Sequence, residues 1–362
     1  LLPGQGVLNF PSPQGKLCAM EISHPSAQSP GHPHDAMRDV QQPRAEREPK
    51  TVLLLNANAA GGRAAGYKRQ IEEHTAKLPR RPMLFVSREA QTAIRLVEAL
   101  PARSRVIVLG GDGSVNQLLP SLLAGGHTLG LVAVGTGNDT ARALGVDRMK
   151  WHVALDHALQ SAPENIDIGE IRYTNARGFT QNKLFISSFC TGFDAATAQQ
   201  AQSLPHWLGG MPRYTIATLI MLSALSSFDL RISIDGQAIH AGPVLLASAL
   251  NSATYGGGMQ IAPSAAIDDG ALDLLIAERM GLLRVLSLLP RMLLGRHLGE
   301  PGVIHQCFGD LHIKAQQPVP MAADGEYLGE AVEARVSIQA ARLPVLRAHY
   351  AMIQRNHSST TA

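Results

Sequence analysis

The stretches VIVLGGDGSVNQLL, residues 106–119, and LGLVAVGTGNDTARALGV, residues 129–146, decide the fold. Each opens on a short continuous apolar run, 106–109 and 129–134, the signature of a strand buried on both faces of a parallel sheet. Each then breaks into a glycine-rich acidic turn. The first is Gly110, Gly111, Asp112, Gly113, Ser114, and the second is Gly135, Thr136, Gly137, Asn138, Asp139. After the first turn the apolar spacing becomes helical, with Val115, Leu118, Leu119 and Leu122 at i, i+3, i+4 and i+7.

Working outward, 52–55 and 83–86 are further apolar runs, and Ala93, Leu96, Val97 and Leu100 repeat the helical spacing. The pattern predicts a βαβαβαβ domain over roughly residues 51–165, Rossmann-like with a parallel sheet. From about Asp167 strand signals dominate. Leu230, Ile232 and Ile234 alternate, 244–249 is a buried run, and Leu311 with Ile313 and Val336 with Ile338 alternate again. Helical stretches near 214–226 and 282–294 interrupt them. The class is α/β plus β, with a mostly β second domain at 166–338. In a tail, 339–362, the apolar stretch 343–353 is expected to pack back on the first domain as a helix.

A chain of 362 residues suits two domains. Hydrophobic residues at 45% against charged residues at 17% allow a buried core. Residues 1–50 differ: they hold eight of the 22 prolines and no apolar periodicity, and are expected to be a disordered extension. This segment is not read as a signal or transit peptide. The chain opens on Leu1, with Met20 and Met37 further in, so part of it is a candidate start-site artefact. A net charge of +3 without a long basic run argues against nucleic acid. Cys18, Cys190 and Cys307 are odd in number and lack CxxC spacing, which argues against disulfides and zinc and for a cytoplasmic setting. No apolar stretch reaches the ~20 residues of a spanning helix.

Ligands of open parallel sheets sit beyond the carboxyl ends of the strands, where both glycine turns lie. Glycines let backbone N–H groups approach phosphate oxygens, and a helix N-terminus favours the same anion. The competing reading is a pair of tight turns in which Asp112 or Asp139 caps a helix. The dinucleotide fingerprint fails because Asn116 stands where a glycine is needed. The P-loop pattern fails near Gly61 to Gly66 because Tyr67 follows, with Lys68 one residue late.

The two quoted stretches resemble the catalytic domain of diacylglycerol kinases, sphingosine kinases and bacterial lipid kinases. NANAAGG at 56–62, TGFDA at 191–195, YGGGMQIAPSAAIDDGALD at 255–273 and DGE at 324–326 extend the resemblance from residue 51 to about 350. The family usually has NPxSG where this chain has Asn56 to Ala60, and an apolar residue where Thr140 stands. The resemblance implies a β-sandwich-like second domain and transfer of the ATP γ-phosphoryl group to a lipid hydroxyl, with Glu326 as general base and Asp112 orienting the phosphates through Mg²⁺. It makes Asn56, Gly110, Gly111, Gly113, Thr136, Gly137, Asn138 and Asp139 nucleotide contacts. A structural Mg²⁺ would lie on Asp269 with the carbonyls of Ala266 and Ala271, where an acidic turn is the alternative. Arg63, Arg142 and Arg213 are the candidate phosphate-binding cations. For Glu326 alone, a solvated Asp-Gly hairpin turn competes with the catalytic reading.

The apolar stretches 207–228 and 282–294 could line an acyl cleft or touch a bilayer, although such helices more often pack into a core. The expected partners are ATP, a lipid and peripherally a membrane, and a homodimer is compatible. Diacylglycerol, a sphingoid base, phosphatidylglycerol and an isoprenoid or glycolipid alcohol all remain open as acceptors. Two rivals stand beside this reading: an NAD kinase-like enzyme, and a nucleotide-binding regulator without catalysis.

Overall fold

A computed structural model describes residues 48–135, 137–205, 208, 210–349 and two short segments of the N-terminal stretch. The chain divides into Leu1–Glu48 and Pro49–Ala362. In the first unit, expected to lack structure, β1 (Leu8–Pro11) and β2 (Leu17–Met20) form an antiparallel pair in which Leu8 faces Met20 and Pro11 faces Leu17. Leu, Phe and Cys supply a local strand preference that the proline count concealed.

The second unit begins with the expected parallel sheet. Its strands are β3 (Thr51–Asn56), β4 (Met83–Ser87), β5 (Arg105–Gly110) and β6 (Thr128–Ala133). They lie in the order β4-β3-β5-β6 and are parallel throughout. Strand order reverses between β3 and β5, so the crevice beyond Asn56 and Gly110 is the sheet's switch point. A 3-10 segment, Ala59–Gly66, leads into α1 (Tyr67–Thr75), and α2 (Ala90–Glu98) and α3 (Asp112–Gly125) follow β4 and β5. Short α4 (Asp139–Ala143) and then α5 (Trp151–Gln160) follow β6. Leu54, Val106, Val108 and Leu131 bury one face against Val115, Leu118, Leu119 and Leu122 of α3. Leu53, Leu55, Ile107 and Leu109 bury the other against Ile71, Ala154 and Leu155. Each such side chain contributes roughly 1.5–3 kcal/mol, which is why these strands read as continuous apolar runs.

The remaining strands are β7 (Glu164–Asn175), β8 (Thr180–Phe185), β9 (Ser188–Gly192), β10 (Phe228–Ile234), β11 (Gln237–Leu250), β12 (Leu272–Glu278), β13 (Val303–Phe308), β14 (Asp310–Ala323) and β15 (Glu326–Val345). They are antiparallel among themselves. β10 and β9 share the space between β11 and β14: β10 pairs the first part of each long strand and β9 the last. This splitting gives the β lobe its sandwich-like form around Phe185, Phe189, Leu230, Leu274 and Met321. α6 (Phe193–Ser203), α7 (Gly210–Ser223) and α8 (Leu282–Leu293) complete it.

Two boundaries differ from the sequence expectation. β15 continues through residue 338 to Val345, which pairs in parallel with Leu129 of β6, so a single hydrogen-bonded path joins the two lobes. The helix expected over 343–353 is therefore strand at its start. Leu343 and Val345 alternate on one buried face, and Pro344 between them disfavours a helix. Residues 350–353 of that stretch lie outside the described residues.

Candidate active site

The two glycine turns meet backbone to backbone. A Cβ on Gly135 would stand 2.7 Å from the Cα of Gly111, and one on Gly111 would stand 3.2 Å from the Cα of Gly135. Neither position has room for a side chain. Asn56, at the end of β3, donates Nδ2 to Ser114 Oγ at 2.8 Å, tying the third strand end to the first turn of α3. Asn138 sits in the left-handed region at φ 57° and donates Nδ2 to the Gly135 carbonyl, while its Oδ1 is buried without a partner. A cavity of about 230 Å³ opens beside these strand ends, lined by Asn56, Asn58, Arg88, Glu89, Ser114 and Gln117 among others.

Asp112 reaches from the first turn to the second. Its Oδ1 accepts the Thr140 N–H at 2.8 Å and its Oδ2 the Asp139 N–H at 3.1 Å. The capping alternative is thus realised across the two turns, with Asp112 capping α4 rather than its own helix. Asp139 accepts Arg142 Nη1 on Oδ1 at 2.5 Å and the Gly257 N–H on Oδ2 at 3.1 Å. Burial pushes the Asp139 carboxyl up to about 6 against these hydrogen bonds, and the Asp112 charge adds to the rise. Arg142 also donates to the Gly137 carbonyl. Arg142 is thus joined to the second turn. Arg63 is exposed and donates to the Ala60 carbonyl, and Arg213 donates to the Ala201 carbonyl.

A second cavity, of about 180 Å³, brings Asp112 and Asp139 together with Asp324 of the DGE segment, and Cys190, Tyr214 and Tyr255 also line it. Asp324 (φ 45°) and Gly325 (φ 76°) form a tight turn joining Ala323 of β14 to its partner Glu326 of β15. Both central residues have positive φ, so the hairpin reading of Asp-Gly holds as geometry. Asp324 accepts the Ile186, Ser187 and Ser188 N–H groups at 2.8 to 3.0 Å, and burial pushes its carboxyl up to about 6. Glu326 does not line this cavity. Its carboxylate is half exposed and bound by Lys183 Nζ at 2.9 Å.

The acidic turn at 266–271 stands apart from both cavities. Asp269 accepts the Ala271 N–H at 3.1 Å, and burial, with Asp273, Asp167 and Asp268 nearby, pushes its carboxyl up to about 6. Asp167 accepts the Gly270 and Ala341 N–H groups. Among the described residues no three His, Cys, Asp or Glu side chains converge to hold a metal ion. A cation here would rest on one carboxylate plus backbone carbonyls and water. That donor set suits Mg²⁺, and the accumulated negative charge at Asp269 favours it. The turn connects to the cleft through Asn251, which is fully buried and donates to the Asp167 and Ile186 carbonyls.

Asn56, Gly110, Gly111, Asp112, Gly113, Gly137, Asn138 and Asp139 therefore gather at the strand ends. Thr136 lies outside the described residues. Sequence reasoning passed over Asp324, quoted only as part of DGE, and Asp194, quoted only as part of TGFDA. Asp194 accepts the hydroxyl of Tyr255, which lines the second cavity, and desolvation pushes its carboxyl up to about 6. For Asp194 the available signal was a carboxylate inside an otherwise uncharged string.

Comparison with known proteins matches both lobes. The diacylglycerol kinase catalytic domain matches residues 50–171, and the YegS C-terminal NAD kinase beta sandwich-like domain matches residues 187–347. A diacylglycerol kinase of Mycobacterium tuberculosis is 32% identical over 265 residues, 73% of this chain and 84% of the relative. One from Bacillus subtilis is 27% identical over 226 residues, 62% of this chain and 71% of the relative. The crystal structure of a diacylglycerol kinase from Bacillus anthracis superposes with a TM-score of 0.58 at 17% identity, covering 83% of this chain and 97% of that one. With its parallel-sheet lobe and its sandwich-like lobe both matched, the chain belongs to the diacylglycerol kinase and YegS-like lipid kinase family.

Proposed function

We propose that the protein transfers the γ-phosphoryl group of ATP to a hydroxyl of diacylglycerol or a similar lipid. The observation that carries this is the contact of Gly111 with Gly135 beyond the ends of β5 and β6, directly beside the cavity that gathers Asp112, Asp139 and Asp324. In this reading the nucleoside occupies the cavity beside Asn58, Arg88 and Glu89. The phosphates run over the two glycine turns, where backbone N–H groups and the N-terminus of α3 meet their charge. Asp112 and Asp139 would hold Mg²⁺, which supplies neutralisation of charge on the transferring phosphoryl group. The raised Asp139 carboxyl, beside a second carboxylate, fits a cation there.

The acceptor hydroxyl enters the cleft lined by Cys190, Tyr214 and Tyr255. Glu326, which follows the lining residue Gly325 without lining the cavity itself, takes its proton at the edge of the cleft, and Asp324 fixes the turn that carries Glu326. Phosphoryl transfer asks little else of the protein than alignment and removal of that proton. Glu326→Gln is expected to lower transfer by about 10² to 10⁴-fold with ATP binding retained. Full activity in that variant would remove Glu326 from the mechanism.

No helix among the described residues is long and apolar enough to cross a membrane. Leu283 (84% exposed), Leu293 (59%) and Leu294 (65%) nevertheless lie exposed at the two ends of α8. We place the lipid surface on this side, as a peripheral contact. Leu283→Glu should weaken flotation with lipid vesicles, and unchanged flotation would count against this placement.

A further inference from the structure

Outside the phosphate turns, one polar cluster draws on three separate elements. Glu326, at the start of β15, receives Lys183 Nζ from β8 at 2.9 Å and Asn116 Nδ2 from α3 at 3.4 Å, both on Oε2. Glu326 is 48% exposed and Lys183 26%, whereas Asn116 is buried. β8 is an edge strand held by β7, with Lys183 in register with Ile171, so the root of the lysine is fixed by the ladder. Asn116 belongs to the helix whose first residue is Asp112, so its contact ties the Glu326 carboxylate to the lobe that carries the phosphate turns.

We propose that Lys183, assisted by Asn116, is the positioning residue for Glu326, holding its carboxylate toward the nucleotide lobe so that the acceptor proton is met in one geometry. The inference rests on the reading of Glu326 as the base. A glutamate half exposed at a strand start keeps much of its rotamer freedom. Left alone, its carboxylate samples solvent. Lys183 and Asn116 converge on a single oxygen and leave Oε1 for the acceptor hydroxyl. An ion pair this exposed adds little to folding, yet displacing a reacting group by about 1 Å can cost about 10²-fold in rate. Lys183 should therefore matter for turnover far more than for stability.

The test compares Lys183→Met, Lys183→Arg, Glu326→Gln and the double variant Glu326→Gln with Lys183→Met. The assay follows label from the γ position of ATP into a mixed lipid extract in detergent micelles, and ATP binding is measured separately. Lys183→Met should lower kcat by about 10- to 100-fold with KM for ATP and ATP affinity unchanged. Lys183→Arg, which keeps the charge, should restore most of the rate. The double variant should be no slower than Glu326→Gln alone, because a residue acting through another has nothing left to act on. Wild-type turnover in Lys183→Met, beside an inactive Glu326→Gln, overturns the proposal and leaves the base in place. A further loss in the double variant, or an effect confined to KM for ATP, overturns it by showing that Lys183 acts directly on phosphate. An active Glu326→Gln, or no labelled lipid with the unaltered protein, overturns both.

Discussion

The carboxylate of Asp112 caps a helix that begins 27 residues later: its Oδ1 accepts the Thr140 N–H at 2.8 Å and its Oδ2 the Asp139 N–H at 3.1 Å. The two glycine turns are thus one unit, and the side chain that joins them faces the cleft. Asp112→Ala should cost about 1 kcal/mol through the lost cap. Asp112→Asn keeps the shape and one acceptor, so it should fold nearly as well while transfer falls by about 10²-fold or more. Equal activity in Asp112→Asn and the unaltered protein would reduce Asp112 to a cap.

The packing of Gly111 on Gly135 gives a steric prediction. A Cβ at 135 would lie 2.7 Å from a backbone carbon, which cannot rotate away. Gly135→Ala is expected to destabilise by about 1–3 kcal/mol in urea unfolding and to weaken ATP binding. Gly113→Ala, where a Cβ meets nothing within 4 Å, is the control. Similar midpoints for the two variants would contradict the close contact.

Buried carboxyls set a pH dependence. Asp194 and Asp324 are pushed up to about 6 in the folded chain from the ordinary 3.8. Between those values the folded state binds more protons than the unfolded one, so these groups make stability fall as pH rises from about 4 to 6.5. Asp194→Asn removes one of them. Its loss of stability across that window, followed by denaturant titration, should be smaller than that of the unaltered protein. An identical slope would mean that Asp194 does not titrate there.

The acidic turn makes a metal prediction. If Mg²⁺ rests on Asp269 with the Ala266 and Ala271 carbonyls, adding the ion should raise the melting temperature, because ligand binding to the folded state stabilises it. Asp269→Asn should lose most of that rise. A full rise in the variant would place the stabilising ion elsewhere, with Asp112 and Asp139 the next site to examine.

The parallel lobe was legible because its strands are buried on both faces and its helices keep one apolar stripe, so Val108 and Leu119 report their own environment. The strand character of Leu343 and Val345 was less so. Their alternation spans too few residues to outweigh the apolar content around them, and their partners, Ile166 for Leu343 and Leu129 for Val345, are far away in the chain. Asp112 and Asp139 stood out because glycines surround them. Asp324 hid inside a turn dipeptide whose local geometry explains itself. Lys183 could not be found at all, since an isolated lysine 143 residues before its partner carries no pattern.

The most direct test is to incubate the protein with Mg²⁺, NAD, a mixed lipid extract and ATP labelled at the γ position, and to identify the labelled product by mass spectrometry. The account predicts a lipid carrying one new phosphoryl group, formed by the unaltered protein and lost in Glu326→Gln. Label appearing on NAD instead, or ATP bound with no labelled lipid formed, would contradict it.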